Sequence, residues 1–146
     1  MAALLPLLVT LIAGLGLALQ PPTNAVLART SGSVLLAALA SFVVGTLMLA
    51  LLWLAADRTP PAALRGVPAW AWIGGAYGAF YVSASAFAAP RLGLAAMLTV
   101  MIAGQLAMAL VLDHFGLMGL PRAPISLGRI AGVVLVLAGV LLVRRG

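Results

Sequence analysis

Apolar residues run in five long stretches along this chain, at about residues 2–27, 34–56, 67–89, 92–112 and 125–143, and its charges lie between them or near their ends. A helix needs about 20 predominantly apolar residues to cross roughly 30 Å of hydrocarbon, so each stretch predicts a transmembrane helix. The first carries a predicted break at Pro21-Pro22. In the fifth, the uninterrupted part is residues 130–143, so Arg129 must snorkel to the interface; Pro121 and Pro124 punctuate the loop before it. The expected fold is all-α: a polytopic membrane protein of five helices in a single transmembrane domain over residues 1–146.

Composition turns that pattern into a membrane assignment. Apolar residues are 65% of the 146 positions and charged residues 7%, and the mean hydropathy is +1.26. A soluble domain carries about 25% charged residues and has no means of hiding so much apolar surface at this length. The net charge of +6 comes from isolated arginines at the ends of apolar runs, with no lysine, so no stretch tracks phosphates and no nucleic-acid partner is expected. Cysteine is absent, which excludes disulfides and thiolate chemistry. No metal cluster, cofactor motif or nucleophile–base set is evident, so neither a cofactor nor an enzymatic activity is expected. The opening residues lack the positive charge of a secretory signal and are read as a retained first helix.

The eight arginines change the picture again. With the N-terminal face as side one, Arg58, Arg65, Arg122 and Arg129 fall there, and Arg29, Arg91, Arg144 and Arg145 fall on side two. Arginine and lysine bias sets membrane orientation, and here the bias is zero. The chain is therefore expected to insert both ways up and to pair as an antiparallel homodimer, with a heterodimer with a similar chain as the variant of that idea. An accidental balance is the bland alternative. Trp53, Trp70 and Trp72 all lie at side one and anchor depth rather than direction.

Small residues let helices approach closely in lipid. Gly74 and Gly78 make such a pair in the third span; Gly128 and Gly132 make another in the fifth, where Gly139 lies on the same face as Gly132. These five glycines are the expected packing or dimer seams. Glycine spacing does not say whether they join helices or subunits.

No charge lies in the middle of a span and glutamate is absent, so coupling through a central carboxylate is not available. Neutral polar groups remain. Gln20 and Asn24 share a helical face interrupted by Pro21 and Pro22, and broken helices at membrane depth face protein or a water-filled cavity. A simple helix end at the prolines is the alternative. In the third span Tyr81 and Ser85 continue the glycine stripe, with Tyr77 about 60° to its side. Gln105 sits among Met97, Met101 and Met108 in the fourth. Gln20 and Tyr81 are expected nearer side two and Gln105 nearer side one, each ~10 Å from its surface, so inverting one subunit would bring them level. Asp113 and His114 close the fourth span as candidate coupling groups, because histidine titrates near neutral pH. The competing expectation is Asp113 paired with Arg122 or Arg129 and a solvated His114.

Several of these residues also form motifs. Gln20-Pro-Pro-Thr-Asn24-Ala-Val-Leu-Ala-Arg29, Ser41-Phe42-Val-Val-Gly45-Thr46, Trp72-Ile-Gly74-Gly75-Ala-Tyr77-Gly78 with Tyr81-Val82, Ala89-Pro90-Arg91-Leu92-Gly93, Gly104-Gln105 and Asp113-His114-Phe115-Gly116, ending with Gly132 to Gly139-Val140, span nearly the whole chain. Together they resemble the YdcZ-like proteins of the drug/metabolite transporter superfamily, distant relatives of the small multidrug resistance proteins. The resemblance implies a five-helix half of a ten-helix transporter fold in the bacterial inner membrane, working as a dimer. The first-helix glutamate of the small multidrug resistance proteins is missing here, which argues against cation/proton exchange. The expected function is a small secondary transporter that moves a small solute through a neutral polar pocket of Gln20, Asn24, Tyr77, Tyr81, Ser85 and Gln105. A dual-topology channel and a non-transporting assembly subunit are the alternatives.

Overall fold

A computed structural model describes residues 4–145, and they form helices and turns with no strand among them. Residues 1–3, where the first predicted span begins, and Gly146 lie outside the described residues, as do the side chains of Arg144 and Arg145. Five α-helices follow in order: α1 Leu4–Ser31, α2 Val34–Leu52, α3 Gly74–Leu92, α4 Leu94–Phe115 and α5 Leu127–Arg145. Two compact units divide them, Met1–Arg91 and Leu92–Gly146.

In the first unit, α1 and α2 form a hairpin whose turn is written in three residues. Gly32 takes φ +71°, a conformation that suits glycine. Ser33 has extended backbone angles, and its hydroxyl accepts from the Leu36 N–H at 3.2 Å, capping α2. Ser31 Oγ donates to the Ser33 carbonyl at 3.2 Å and tightens the same turn. The predicted break at Pro21-Pro22 is not there: both prolines sit inside α1, which continues to Ser31. Hydrocarbon leaves an interrupted backbone without water to bond, so the helix persists through two missing donors rather than opening. At 1.5 Å per residue its 28 residues reach ~42 Å, longer than a bilayer core, which calls for tilt.

A single π-helical turn, Trp53–Asp57, prolongs α2, and Arg58 in the left-handed region closes it by donating its N–H to the Trp53 carbonyl at 2.8 Å. Trp53 Nε1 donates to the Thr59 carbonyl at 3.0 Å, pinning the following loop to the helix end. The third predicted span begins later than expected. Residues Ala69–Ile73 are a 3₁₀ turn entered from Pro68, whose missing N–H and fixed φ suit a helix start, and the α-helix opens only at Gly74.

The second unit is a hairpin of α4 and α5. Gly93 (φ +81°) precedes α4 and Gly116 (φ +63°) caps its end. Ser126 Oγ accepts from the Arg129 N–H at 3.3 Å at the start of α5. By length and composition α1, α2 with its π turn, and α4 can each cross a membrane; α5 contributes a shorter apolar stretch, Leu127–Val143. Helix α3 is less apolar, because glycine, serine and alanine replace leucine along it.

The buried residues are mostly small: Ala25, Ala37, Ala38, Ala86, Ala89 and Ala103, with Val82 and Met97. Leucine and valine point mostly outward along α1, α2, α4 and α5. That inside-out distribution is what lipid demands, where close approach of small side chains holds helices together.

Candidate functional site

Helix α1 presents its two amides one turn apart. Asn24 is 2% exposed and its Nδ2 has no hydrogen-bond partner among the described residues. Between it and Gln20, Pro21 and Pro22 have no N–H to give the carbonyls of Leu17 and Ala18, four residues back. Thr23 Oγ1 spends its proton within the helix, on the Leu19 and Gln20 carbonyls at 3.1 and 2.8 Å. Donors and acceptors are thus left unmatched over little more than a turn, and an unmatched buried polar group costs about 1–3 kcal/mol.

Gln20 is half-buried and lines a cavity of about 180 Å³ together with Ser41, Phe42, Gly45, Thr46 and Leu49 of α2. It lies 11 residues, ~16 Å along the axis, before the end of α1, because the helix runs on past the prolines. Ser41 and Thr46 were not singled out from the sequence as site residues. Their spacing puts Ser41 with Gly45 and Phe42 with Thr46 on adjoining rows of one face, but only the pairing of α2 with α1 reveals that this face meets Gln20.

On α3, Ser85 is 0% exposed and its hydroxyl donates to the Val82 carbonyl at 3.0 Å, within its own helix. Tyr81 is half-buried, whereas Tyr77 is 59% exposed. Gly78 faces Phe42 of α2: a Cβ there would lie 3.3 Å from the tip of the ring. Gly74 has open space around it.

Gln105 is exposed at the middle of α4, 11 residues after Leu94 and 10 before Phe115, ~15 Å from either end. Helix α4 extends three residues past the predicted boundary. The methionine stripe is divided: Met97 is buried and Met108 exposed. On α5, a Cβ on Gly132 or Gly139 would meet nothing within 4 Å, and on Gly128 only Ser126 Oγ at 4.0 Å. The fifth-helix seam is therefore open within this chain.

Asp113 and Arg129 pair at 3.2 Å, both side chains more than a third exposed. Arg129 Nη1 also donates to the Ala123 carbonyl, and the Ala123 N–H donates to the Asp113 carbonyl at 2.8 Å. The expectation of a solvated His114 is corrected: its Nδ1 accepts from the Ile125 N–H at 3.2 Å while its carbonyl accepts from Arg122 Nε at 3.1 Å. The Asp-His pair fastens the α4–α5 loop. Beneath it a cavity of about 390 Å³ runs along the two helices, lined by Leu106, Leu110, Gly132 and Val136 among others, with Asp113 and Arg129 at its rim. Among the described residues no group of three or more metal-ligating side chains gathers.

Comparison with known proteins adds a relationship. A family model described as "Putative inner membrane exporter, YdcZ" matches residues 5–142. Inner membrane protein YdcZ of Escherichia coli strain K12 is 33% identical over 135 residues, 91% of this chain and 90% of that protein. No solved structure matches.

Proposed function

Because the chain belongs to the YdcZ family of inner-membrane proteins, we propose that it is a small secondary transporter that exports a small solute by alternating access. It is a multi-pass protein of the inner membrane, and the description of its family, "Putative inner membrane exporter", supports transport. The proposed pocket is a neutral polar one at the interface of an antiparallel homodimer, to which the two copies contribute Gln20, Asn24, Tyr77, Tyr81, Ser85 and Gln105.

One observation carries this reading. The Asn24 amide is fully buried with no partner for its Nδ2, seven residues, or ~10 Å, from the end of α1. A donor kept unpaired in a membrane protein is stabilised by whatever brings an acceptor to it, and a passing solute does so transiently. The exposed Tyr77 and Gln105 support the dimer. Polar side chains turned to lipid are unfavourable, and a second copy covering them relieves that cost. Asp113, at the rim of the α4–α5 cavity, and the adjacent His114 are the groups available to couple transport to protons.

Solute counterflow in liposomes tests the proposal. A carrier exchanges labelled for unlabelled solute with saturation, and Asn24→Leu abolishes the exchange. Flux that is non-saturating and driven by voltage would instead make the protein a channel; absence of saturable flux for every solute in a broad panel would make it an assembly subunit.

A further inference from the structure

Gln20 of α1 meets the Ser41 to Leu49 segment of α2 at the 180 Å³ cavity, which is open on the side of Phe42, Gly45, Thr46 and Leu49. The hollow exists because Gly45 withholds a side chain: a Cβ there would meet nothing within 4 Å. Serine and threonine in apolar helices ordinarily satisfy their hydroxyls on a carbonyl four residues back. Thr10, Thr23, Thr30 and Thr99 all do so, at 2.6–3.1 Å. Thr46 and Ser41 make no such bond among the described residues, which leaves two hydroxyls free beside the Gln20 amide.

The lining is one amide, two hydroxyls, the Phe42 ring and Leu49, without a charge. The two carboxylates of the chain lie elsewhere and are occupied, Asp57 with the Thr59 hydroxyl and Asp113 with Arg129. A cation or zwitterion entering here would give up hydration with no opposite charge to meet it, which is heavily penalised. A purely apolar solute would leave the three polar groups unpaired, and sites built to hydrogen-bond reject ligands that lack the matching groups. The volume corresponds to about six water molecules at ~30 Å³ each, below the ~300 Å³ at which pockets for drug-sized ligands begin.

Resting on the transport reading above, we infer that this cavity binds a small uncharged solute bearing several hydroxyl or amide groups. Gln20, Ser41 and Thr46 are its hydrogen-bonding partners and the Phe42 ring is its apolar wall. Ser41 and Thr46 are thus specificity-determining residues.

The test is counterflow of xylitol in liposomes containing the full chain, with tetraethylammonium and glycine betaine as cationic and zwitterionic probes. Wild-type exchange of xylitol saturates, and neither charged probe competes. Thr46→Val, of nearly the same shape without the hydroxyl, raises the half-saturation concentration about fivefold to tenfold, as does Ser41→Ala. Gly45→Leu fills the hollow and stops exchange, while its elution in detergent matches wild type because the position has room. Xylitol exchange indifferent to Thr46→Val and Ser41→Ala overturns the site. Saturable exchange of a charged probe but not of xylitol overturns the solute class and leaves the transport reading standing. Absence of saturable flux for any solute overturns both.

Discussion

Asn24 shows most clearly what a single residue contributes. If its buried amide served the fold, removing it would destabilise the protein. With Nδ2 unpaired, Asn24→Leu is instead expected to leave the melting temperature in detergent unchanged or to raise it, by up to ~1 kcal/mol in stability, while exchange is lost. A parallel fall in stability and exchange would contradict this. At the other end of the polar set, the Asp113–Arg129 pair is more than a third exposed, and such pairs contribute at most about 1 kcal/mol. Asp113→Asn is expected to cost less than that, to keep exchange between equal concentrations, and to lose accumulation driven by a proton gradient; flux assays with and without the gradient separate the two. The role of His114 was not legible in the sequence, because its Nδ1 meets the N–H of Ile125, eleven positions away, across a loop whose path no local pattern reveals. Arg129 was legible as a partner of Asp113, since both stand at the same pair of helix ends.

Helices were the most readable level, and the reason is physical: apolar runs near 20 residues have few alternatives in lipid. Where the reading departed from the structure, local backbone chemistry lost to that constraint. Two adjacent prolines, a strong helix stop in water, are carried inside α1, and Pro68 with a 3₁₀ turn delays α3 to Gly74. Pro22→Ala restores an N–H to the Ala18 carbonyl and is expected to stabilise α1 by up to ~3 kcal/mol, read from thermal unfolding in detergent, with slower exchange if the unpaired carbonyls serve the solute. The glycines separate by what surrounds them. Gly78→Leu drives a side chain into the Phe42 ring and is expected to destabilise the fold by about 1–3 kcal/mol. A Cβ at Gly132 has room beside the α4–α5 cavity that this glycine lines, so Gly132→Ala is expected to leave thermal stability alone and to weaken only the dimer, measured by light scattering in detergent.

At the scale of the whole molecule, the arginine balance and the central polar groups say different things. Inversion was expected to be needed to bring Gln105 level with Gln20 and Tyr81. With α1 ending at Ser31, α3 at Leu92 and α4 centred on Gln105, each of the three lies about 15–16 Å from a helix end. These distances run along each helix, and α1 outruns the bilayer core, so they do not set membrane depth. The antiparallel arrangement therefore rests on the charge balance alone, four arginines against four. Lacking cysteine, the chain permits a clean test. Thr30 ends on side two and Ala62 lies in the exposed side-one loop, so they share a membrane face only between opposed copies. Co-expressed Thr30→Cys and Ala62→Cys chains, oxidised in the membrane, are predicted to form a mixed disulfide dimer; cross-links confined to Thr30→Cys with itself and Ala62→Cys with itself would contradict two inverted copies sharing one pocket.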